Sequence, residues 1–485
     1  MGRPAFRAYL PFLAVFALAT AVRVVAMLAY QGILWFPDSN SYLAVAVAPQ
    51  AYPVRPQGYA FFLRLLEPAH SFTLVAGVQH AMGLAVGAII YVTLWLRFNV
   101  RNWISLLAVV PVYFDAYQIQ LEHLLLSDVL FELLIVAAVA LVLWRPDGNG
   151  HAAAAGLCLG LATLTRSVAL PLLVVFAVYL LVRRRWWQVA ITAVACALPI
   201  LPYMLWFQAS GGGLAMSNSE GLFLYGRTAS FADCSVIRPT PAQRPLCPPG
   251  PPGERSAGPN YVWHFGYFAR LPNDKKFTPA HNDQAEAFAL AAIRAQPGDY
   301  LSTGLRDLRR TFTWNREPYP TEYSTRLYDF HYRPDPLDLK SEPVPDLTLG
   351  QAVRTYLASP TADGSPYVRP ELAAFMVDYQ RYAVLRGTML LPILVGGAIM
   401  LVVRRQRAAG AFLPWLCALA LLVTPPFTAA FGYRYVVPAV PLACLALALT
   451  FMRRRAVTER TDEPEPPPVS EGVVPGGVKG ARGSI

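Results

Sequence analysis

Asp38 stands in FPDSNSYLAVA, residues 36–46, with Ser39, Asn40 and Tyr42 beside it. Arg55 and Gln57 follow in YPVRPQGYAFF, residues 52–62. Both segments come just after the first long apolar run. A loop that has just left a bilayer has no packing need for an acid, so Asp38 is a candidate general base toward a hydroxyl group. Ser39, Asn40 and Tyr42 are expected to hold it by hydrogen bonds. The alternative is a helix cap, because Pro37-Asp38-Ser39 can open a short helix with Asp38 or Ser39 at its N-cap.

A second group lies in QIQLEHLLLSDVLFELL, residues 118–134, which carries Glu122, Asp128 and Glu132. Ionisable groups at membrane depth are costly and normally face a cavity or a partner. Asp128 and Glu122 are therefore candidates to assist Asp38. Against this, Asp128 follows Ser127 at a helix start and could be a capping residue, and Glu122 and His123 could be solvated in a short loop. The third group is the isolated arginines Arg23, Arg55, Arg166 and Arg434. A guanidinium is always charged and presents a planar fork that fits phosphate oxygens. Each taken singly reads first as snorkelling to lipid headgroups or pairing with a nearby acid. Taken together with the acids, they suggest an anionic substrate at a membrane surface.

The elements that must position these residues are apolar helices. Of the 485 residues, 55% are hydrophobic and only 15% charged, with a mean hydropathy of +0.37. Apolar runs long enough to suggest spans fall near 9–30, 71–96, 103–118, 125–144, 151–165, 168–182, 188–207, 384–403, 411–426 and 435–452. The expectation is an all-α polytopic membrane protein of about ten transmembrane helices. Arginine clusters at Arg3/Arg7, Arg97/Arg101, Arg145, Arg183 to Arg185, Arg404/Arg405/Arg407 and Arg453 to Arg455 then share one side. By the positive-inside rule that side is cytoplasmic and holds both termini. The net charge of +11 is largely this topology signal, and no single basic patch points to nucleic acid.

The chain divides into an N-terminal transmembrane module, 1–207, whose first outer loop is 31–70, an extracytoplasmic region, 208–383, C-terminal transmembrane helices, 384–455, and a Pro/Gly-rich cytoplasmic tail, 456–485, expected to be disordered. The region 208–383 is long enough for a small soluble domain. Within it, 282–295 and 297–314 have helical periodicity, and 238–259 reads as an irregular loop. Cys234 and Cys247 lie close together there and are a disulfide candidate in an oxidising compartment. The other four cysteines lie in apolar spans, where a free thiol packs as a small apolar group.

No P-loop, GxSxG, HExxH or paired CxxC is present, and the seven histidines are scattered. The combination FPDSNSY, RPQGYAFF, LLLSDVLFELL, GLATLTRSVALPLL and FGYRYVVPAVPLACLAL resembles the GT-C superfamily of integral-membrane glycosyltransferases. It looks closest to the branch of the protein O-mannosyltransferases and aminoarabinose lipid A transferases. The resemblance covers most of the membrane part and none of 208–383. It implies a polyprenyl-phosphate-linked sugar as donor and a hydroxyl of an extracytoplasmic glycan, lipid or protein as acceptor. It further implies Asp38 as catalytic base, Asp128 and less directly Glu122 as assisting acids, and Arg55, Arg166 and Arg434 on the donor phosphate. Tyr42, Gln57 and Tyr435 would position them. Inversion at the anomeric carbon is expected. Many members carry D-x-D in the first loop, whereas this chain has Asn40 at the third position, a weaker metal ligand than aspartate; a divalent metal held by Asp38 and a second carboxylate stays an open alternative, and no other cofactor is assigned. A transporter or lipid flippase with no glycosyl transfer, and a non-catalytic membrane scaffold, are the competing readings.

Overall fold

The computed structural model describes residues 6–404 and 410–452. The tail expected beyond residue 456 and the basic residues Arg3, Arg405, Arg407 and Arg453 to Arg455 lie outside the described residues. All ten expected apolar segments are helical. The helices begin with α1 (Leu10–Ala29), then α2 (Pro37–Val47) and α3 (Gly58–Leu66) within the expected outer loop, then α4 (Phe72–Val92) and α5 (Asn102–Phe114). The chain continues through α6 (Ala116–His123), α7 (Asp128–Trp144), α8 (Asn149–Thr165), α9 (Leu170–Val182) and α10 (Trp186–Ala209). Three further apolar helices, Gly387–Val403, Phe412–Thr428 and Ala439–Leu449, close the described chain.

Among the described residues, three helices are long and apolar enough to cross a membrane: Arg7–Ala29, Phe72–Arg97 and Trp186–Ala209. Two bent pairs raise this to five. The other apolar helices are shorter, so length and composition alone do not reach the expected ten. One bent pair is α5 with α6, at 50°, where a single span was expected over 103–118. Its cause is local. Pro111 lies inside α5, where a proline removes a backbone hydrogen bond. Asp115 then leaves the helical conformation, and its carboxylate accepts from the Tyr117 N–H at 3.0 Å to start α6.

Helix packing follows from small residues at contacts and large apolar ones outside. Gly156 and Gly160 of α8 lie four apart and face α10. A Cβ at Gly156 would fall 2.3 Å from the Thr192 carbonyl oxygen, and one at Gly160 2.5 Å from that of Cys196. This spacing lets two backbones approach closely, as in helix pairs packed in lipid. On α10, Trp186, Trp187, Val194, Leu198, Leu201 and Leu205 are exposed. An unbroken apolar exterior of this kind suits hydrocarbon surroundings.

The region 208–383 does not close on itself. Its first part packs α11 (Glu220–Ala229) against the helix Pro279–Ala295, around Tyr225, Phe268 and Phe288. The helices expected over 282–295 and 297–314 are Pro279–Ala295 and Pro297–Arg310. Cys234 and Cys247 are joined by a disulfide. Cys234→Ser should lower the stability of this part by about 2–4 kcal/mol, read as earlier proteolysis within residues 220–295 while the apolar helices remain intact. The second part packs onto the first loops. Tyr328, Phe330, Leu349, Val353 and Tyr356 share a core with Tyr30, Tyr42, Leu63 and Phe72. Tyr30–Gln31 pairs antiparallel with Tyr367–Val368. The Tyr356 hydroxyl donates to the Leu63 carbonyl at 3.0 Å, and Trp35 Nε1 donates to that of Gly364 at 2.9 Å. The loop region thus braces α2 and α3, which carry the polar residues of interest.

Candidate active site

Asp38 occupies the first turn of α2, after Pro37. A proline is preorganised for that position. Capping is done by its neighbour: Ser39 Oγ accepts from the Phe36 N–H at 2.9 Å and donates to the Leu125 carbonyl at 2.8 Å. The Asp38 carboxylate is therefore not needed as a cap. Its two oxygens go to two arginines, Oδ1 to Arg55 Nη2 at 2.8 Å and Oδ2 to Arg434 Nη2 at 2.6 Å. Arg55 comes from the coil before α3, and Arg434 from the short turn Tyr433–Tyr435 ahead of the last helix. The expected bonds from Ser39, Asn40 and Tyr42 to Asp38 are absent. Tyr42 instead shares a hydrogen bond with Ser127 Oγ at 3.0 Å and lays its ring 5.2 Å from the Arg55 guanidinium.

Asp128 opens α7 and is 2% exposed. The Ser127 side chain makes no cap bond there, and Asp128 Oδ1 pairs with Arg166 Nη1. Arg166 sits where α8 ends. Its guanidinium lies 4.8 Å from the Tyr435 ring and 5.9 Å from that of Phe131, one helical turn beyond Asp128. The Arg434 guanidinium lies 5.3 Å from the same Tyr435 ring and 4.9 Å from that of Phe36. Tyr435 thus stands between the two arginines and joins the Asp38 group to the Asp128 group. Backbone pairing joins them again: the Leu34 N–H donates to the His123 carbonyl at 3.0 Å, and the Leu125 N–H to the Leu34 carbonyl at 2.9 Å. Phe36, Phe131 and Ser127 were not singled out from sequence. Phe131 could have been, since it lies three residues from Asp128 on one helical face.

Three guanidiniums thus meet two carboxylates, with one positive charge in excess. Arg55, Arg166 and Arg434 are 20%, 12% and 12% exposed, so the group is shielded yet reachable. Burial alone would push the Asp38 carboxyl up, but the Arg55 and Arg434 guanidiniums overcome this and hold it well below the usual carboxylate range. Arg55 Nη1, Asp128 Oδ2 and both amide atoms of the buried Gln57 have no partner among the described residues. Beside Arg166 runs a narrow apolar cleft bounded by Phe131, Val168, Leu421, Pro425 and Pro438.

Glu122 is not part of this group. It is fully buried, and Arg23 of α1 takes both its oxygens, at 2.7 and 2.8 Å. His80 Nδ1 lies 2.8 Å from Oε2. Neither Glu122 nor His123 is solvated, and Arg23 reaches no lipid headgroup. No cluster of three or more His, Cys, Asp or Glu gathers among the described residues. Asp38 and Asp128 are engaged by arginine, a donor set that does not suit a divalent cation, and no step is derived through a metal.

Gly58 sets the distance between the two halves of the site. A Cβ there would lie 2.7 Å from the Leu164 carbonyl carbon and oxygen and 2.9 Å from the Thr165 nitrogen. Gly58→Ala must therefore part the start of α3 from the end of α8, and with them Arg55 and Gln57 from Arg166. The expected cost is about 1–3 kcal/mol of stability, seen as a lower unfolding midpoint, with a fall in ligand affinity among the molecules that remain folded.

No protein-family model and no curated protein matches this chain. Two crystal structures of ArnT from Cupriavidus metallidurans are similar to it, one in the apo state and one bound to undecaprenyl phosphate. Identity is 15% and 14%, over 92% and 91% of this chain and 78% and 77% of theirs, with TM-scores of 0.35 and 0.34. A likeness that distant leaves the functional reading to the residues of the site.

Proposed function

We infer that this chain is a membrane glycosyltransferase that moves a sugar from a polyprenyl-phosphate donor to a hydroxyl acceptor at the extracytoplasmic face. The observation that carries the reading is the convergence of Arg55, Arg166 and Arg434 on Asp38 and Asp128, with one positive charge in excess. A phosphodiester brings one negative charge and oxygen acceptors that guanidinium groups bind well. The unpartnered Arg55 Nη1 suits a phosphate oxygen. Gln57 and the free oxygen of Asp128 suit sugar hydroxyls, because buried polar atoms are ordinarily paired.

In this reading Asp38 accepts the proton of the acceptor hydroxyl as its oxygen attacks the anomeric carbon. The bond from that carbon to the phosphate oxygen breaks, and the electron pair leaves with the lipid phosphate. Arginines fixed in advance stabilise the charge that develops there. Attack opposite the leaving phosphate inverts the anomeric centre. The intramembrane charges make fixed ion pairs rather than a continuous path, which favours the enzyme over a flippase.

The test is transfer of label from radiolabelled polyprenyl-phosphate mannose and, separately, arabinose, in membranes holding wild type or Asp38→Asn. Label entering a lipid, glycan or protein fraction only with wild type supports the reading and identifies the sugar. Vesicles in which the lipid changes leaflet with no new covalent product would replace it with the flippase.

A further inference from the structure

In this geometry the base and the phosphate ligands of the proposed reaction are bonded to each other. Arg55 and Arg434 occupy one oxygen each of Asp38, at 2.8 and 2.6 Å. A carboxylate with both oxygens in charged hydrogen bonds is a poor proton acceptor, and guanidiniums facing a carboxylate are not free for phosphate. Arg166 differs, since Asp128 is its partner. Two of the three arginines are thus shared between Asp38 and any anion that enters, and the third is not.

We propose that Asp38 and the donor phosphate compete for Arg55 and Arg434, so that arrival of the lipid phosphate releases the carboxylate and return of Asp38 to the arginines helps expel the phosphate left after transfer. The proposal rests on the lipid-phosphate reading above. Arg55 can begin the exchange, because its Nη1 has no partner among the described residues while Nη2 holds Asp38. Arg434 is steadied by the Phe36 and Tyr435 rings, so it can change partner with little movement of its plane. Charge favours the forward exchange. The incoming diester carries one negative charge, which balances the excess of the site. Transfer leaves Asp38 protonated and the phosphate a monoester carrying nearly two charges, so Asp38 competes for the arginines again once its proton has passed to water. A base exposed only while phosphate is bound would also keep Asp38 from activating water before the donor arrives.

The competition makes a prediction opposite to that for an ordinary binding residue. If Asp38 holds the arginines back, the binding-competent fraction of wild type is small, and removing the carboxylate's charge should raise affinity by that factor. The full-length protein in nanodiscs is titrated with a polyprenyl monophosphate and, as a headgroup control, with the corresponding polyprenol. Wild type should prefer the phosphate. Asp38→Asn should bind it about tenfold more tightly or better, and Asp38→Glu, which keeps the charge, should stay near wild type. Equal or weaker binding by Asp38→Asn, with the preference for phosphate retained, overturns the competition and leaves the functional reading standing. No preference for phosphate in wild type overturns both. Should Asp38→Asn fail to fold, infrared difference spectra of wild type carrying 13C-labelled aspartate decide the matter. Addition of the polyprenyl phosphate should shift a carboxylate band, and an unchanged band overturns the proposal.

Discussion

Asp38→Asn should lower the rate of sugar transfer by about a thousandfold, the middle of the range for loss of a general base, without weakening donor binding. Asparagine keeps the shape; its carbonyl oxygen can accept from one of Arg55 and Arg434, and its amide nitrogen faces the other. What it loses is the capacity to take a proton. The loss therefore belongs in kcat and not in donor affinity. Arg434→Ala should show the reverse emphasis, because the Arg434 guanidinium is placed to meet the phosphate. The pH dependence has a defined sign. Burial raises the Asp38 carboxyl, but Arg55 and Arg434 hold it below the usual carboxylate range. Its ion pairs contribute stability above the unfolded value of about 3.9, and that contribution is lost only as pH falls below it. An acid limb in kcat/KM near neutral pH would accordingly belong to another group. The measurement is initial rate against donor concentration from pH 5 to 9 for wild type and both variants. Full activity in Asp38→Asn would remove Asp38 from the chemistry.

Much of the site was legible because ionisable side chains stand out against apolar surroundings. Asp38, Asp128, Arg166 and Arg434 each interrupt or border an apolar run, and chains keep such groups only where something pairs with them. The structure gathers these four with Arg55, Tyr42 and Tyr435. The pairing itself was not legible. Arg434 meets Asp38 across 396 residues, and no local periodicity encodes that. The roles of Ser39 and Tyr42 were misjudged for a related reason. Nearness in sequence suggested bonds to Asp38, while the helix that Pro37 opens turns Ser39 to the backbone and Tyr42 to Ser127. Helices were read well where apolar runs are continuous, and less well at Asp115, where a side-chain cap restarts a helix. The bracing of α2 and α3 by residues 319–377 rests on Tyr328, Phe330 and Tyr356. These aromatics follow no regular spacing and gave no signal of their partners.

Glu122 bears the same sequence signal as Asp128, and its substitution should separate structure from catalysis. Glu122→Gln should cost about 3–5 kcal/mol of stability, the usual result of removing one partner from a buried ion pair, while transfer per folded molecule stays near wild type. Each oxygen of Glu122 is already committed. Oε1 accepts from Arg23 Nη2 at 2.7 Å and from Gln118 Nε2 at 3.1 Å, and Oε2 from Arg23 Nε at 2.8 Å. A glutamine amide nitrogen would face one of these donors instead of accepting from it, and Arg23 would keep a buried charge with no counter-ion. The surroundings cannot relax to admit water, since a Cβ at Gly83 would already lie 1.8 Å from Oε1. The neighbours pass the strain onward. His80 Nε2 lies 3.0 Å from His123 Nδ1, and His123 Nε2 lies 2.8 Å from the Tyr30 carbonyl oxygen, so α1, α4 and α6 loosen together. Replacing both partners, as in Arg23→Met with Glu122→Leu, should recover much of the loss, because an apolar pair of similar volume leaves no uncompensated charge. Unfolding midpoints in detergent and transfer normalised to folded protein are the two measurements. A Glu122→Gln protein as stable as wild type but inactive would return Glu122 to the reaction as an assisting acid.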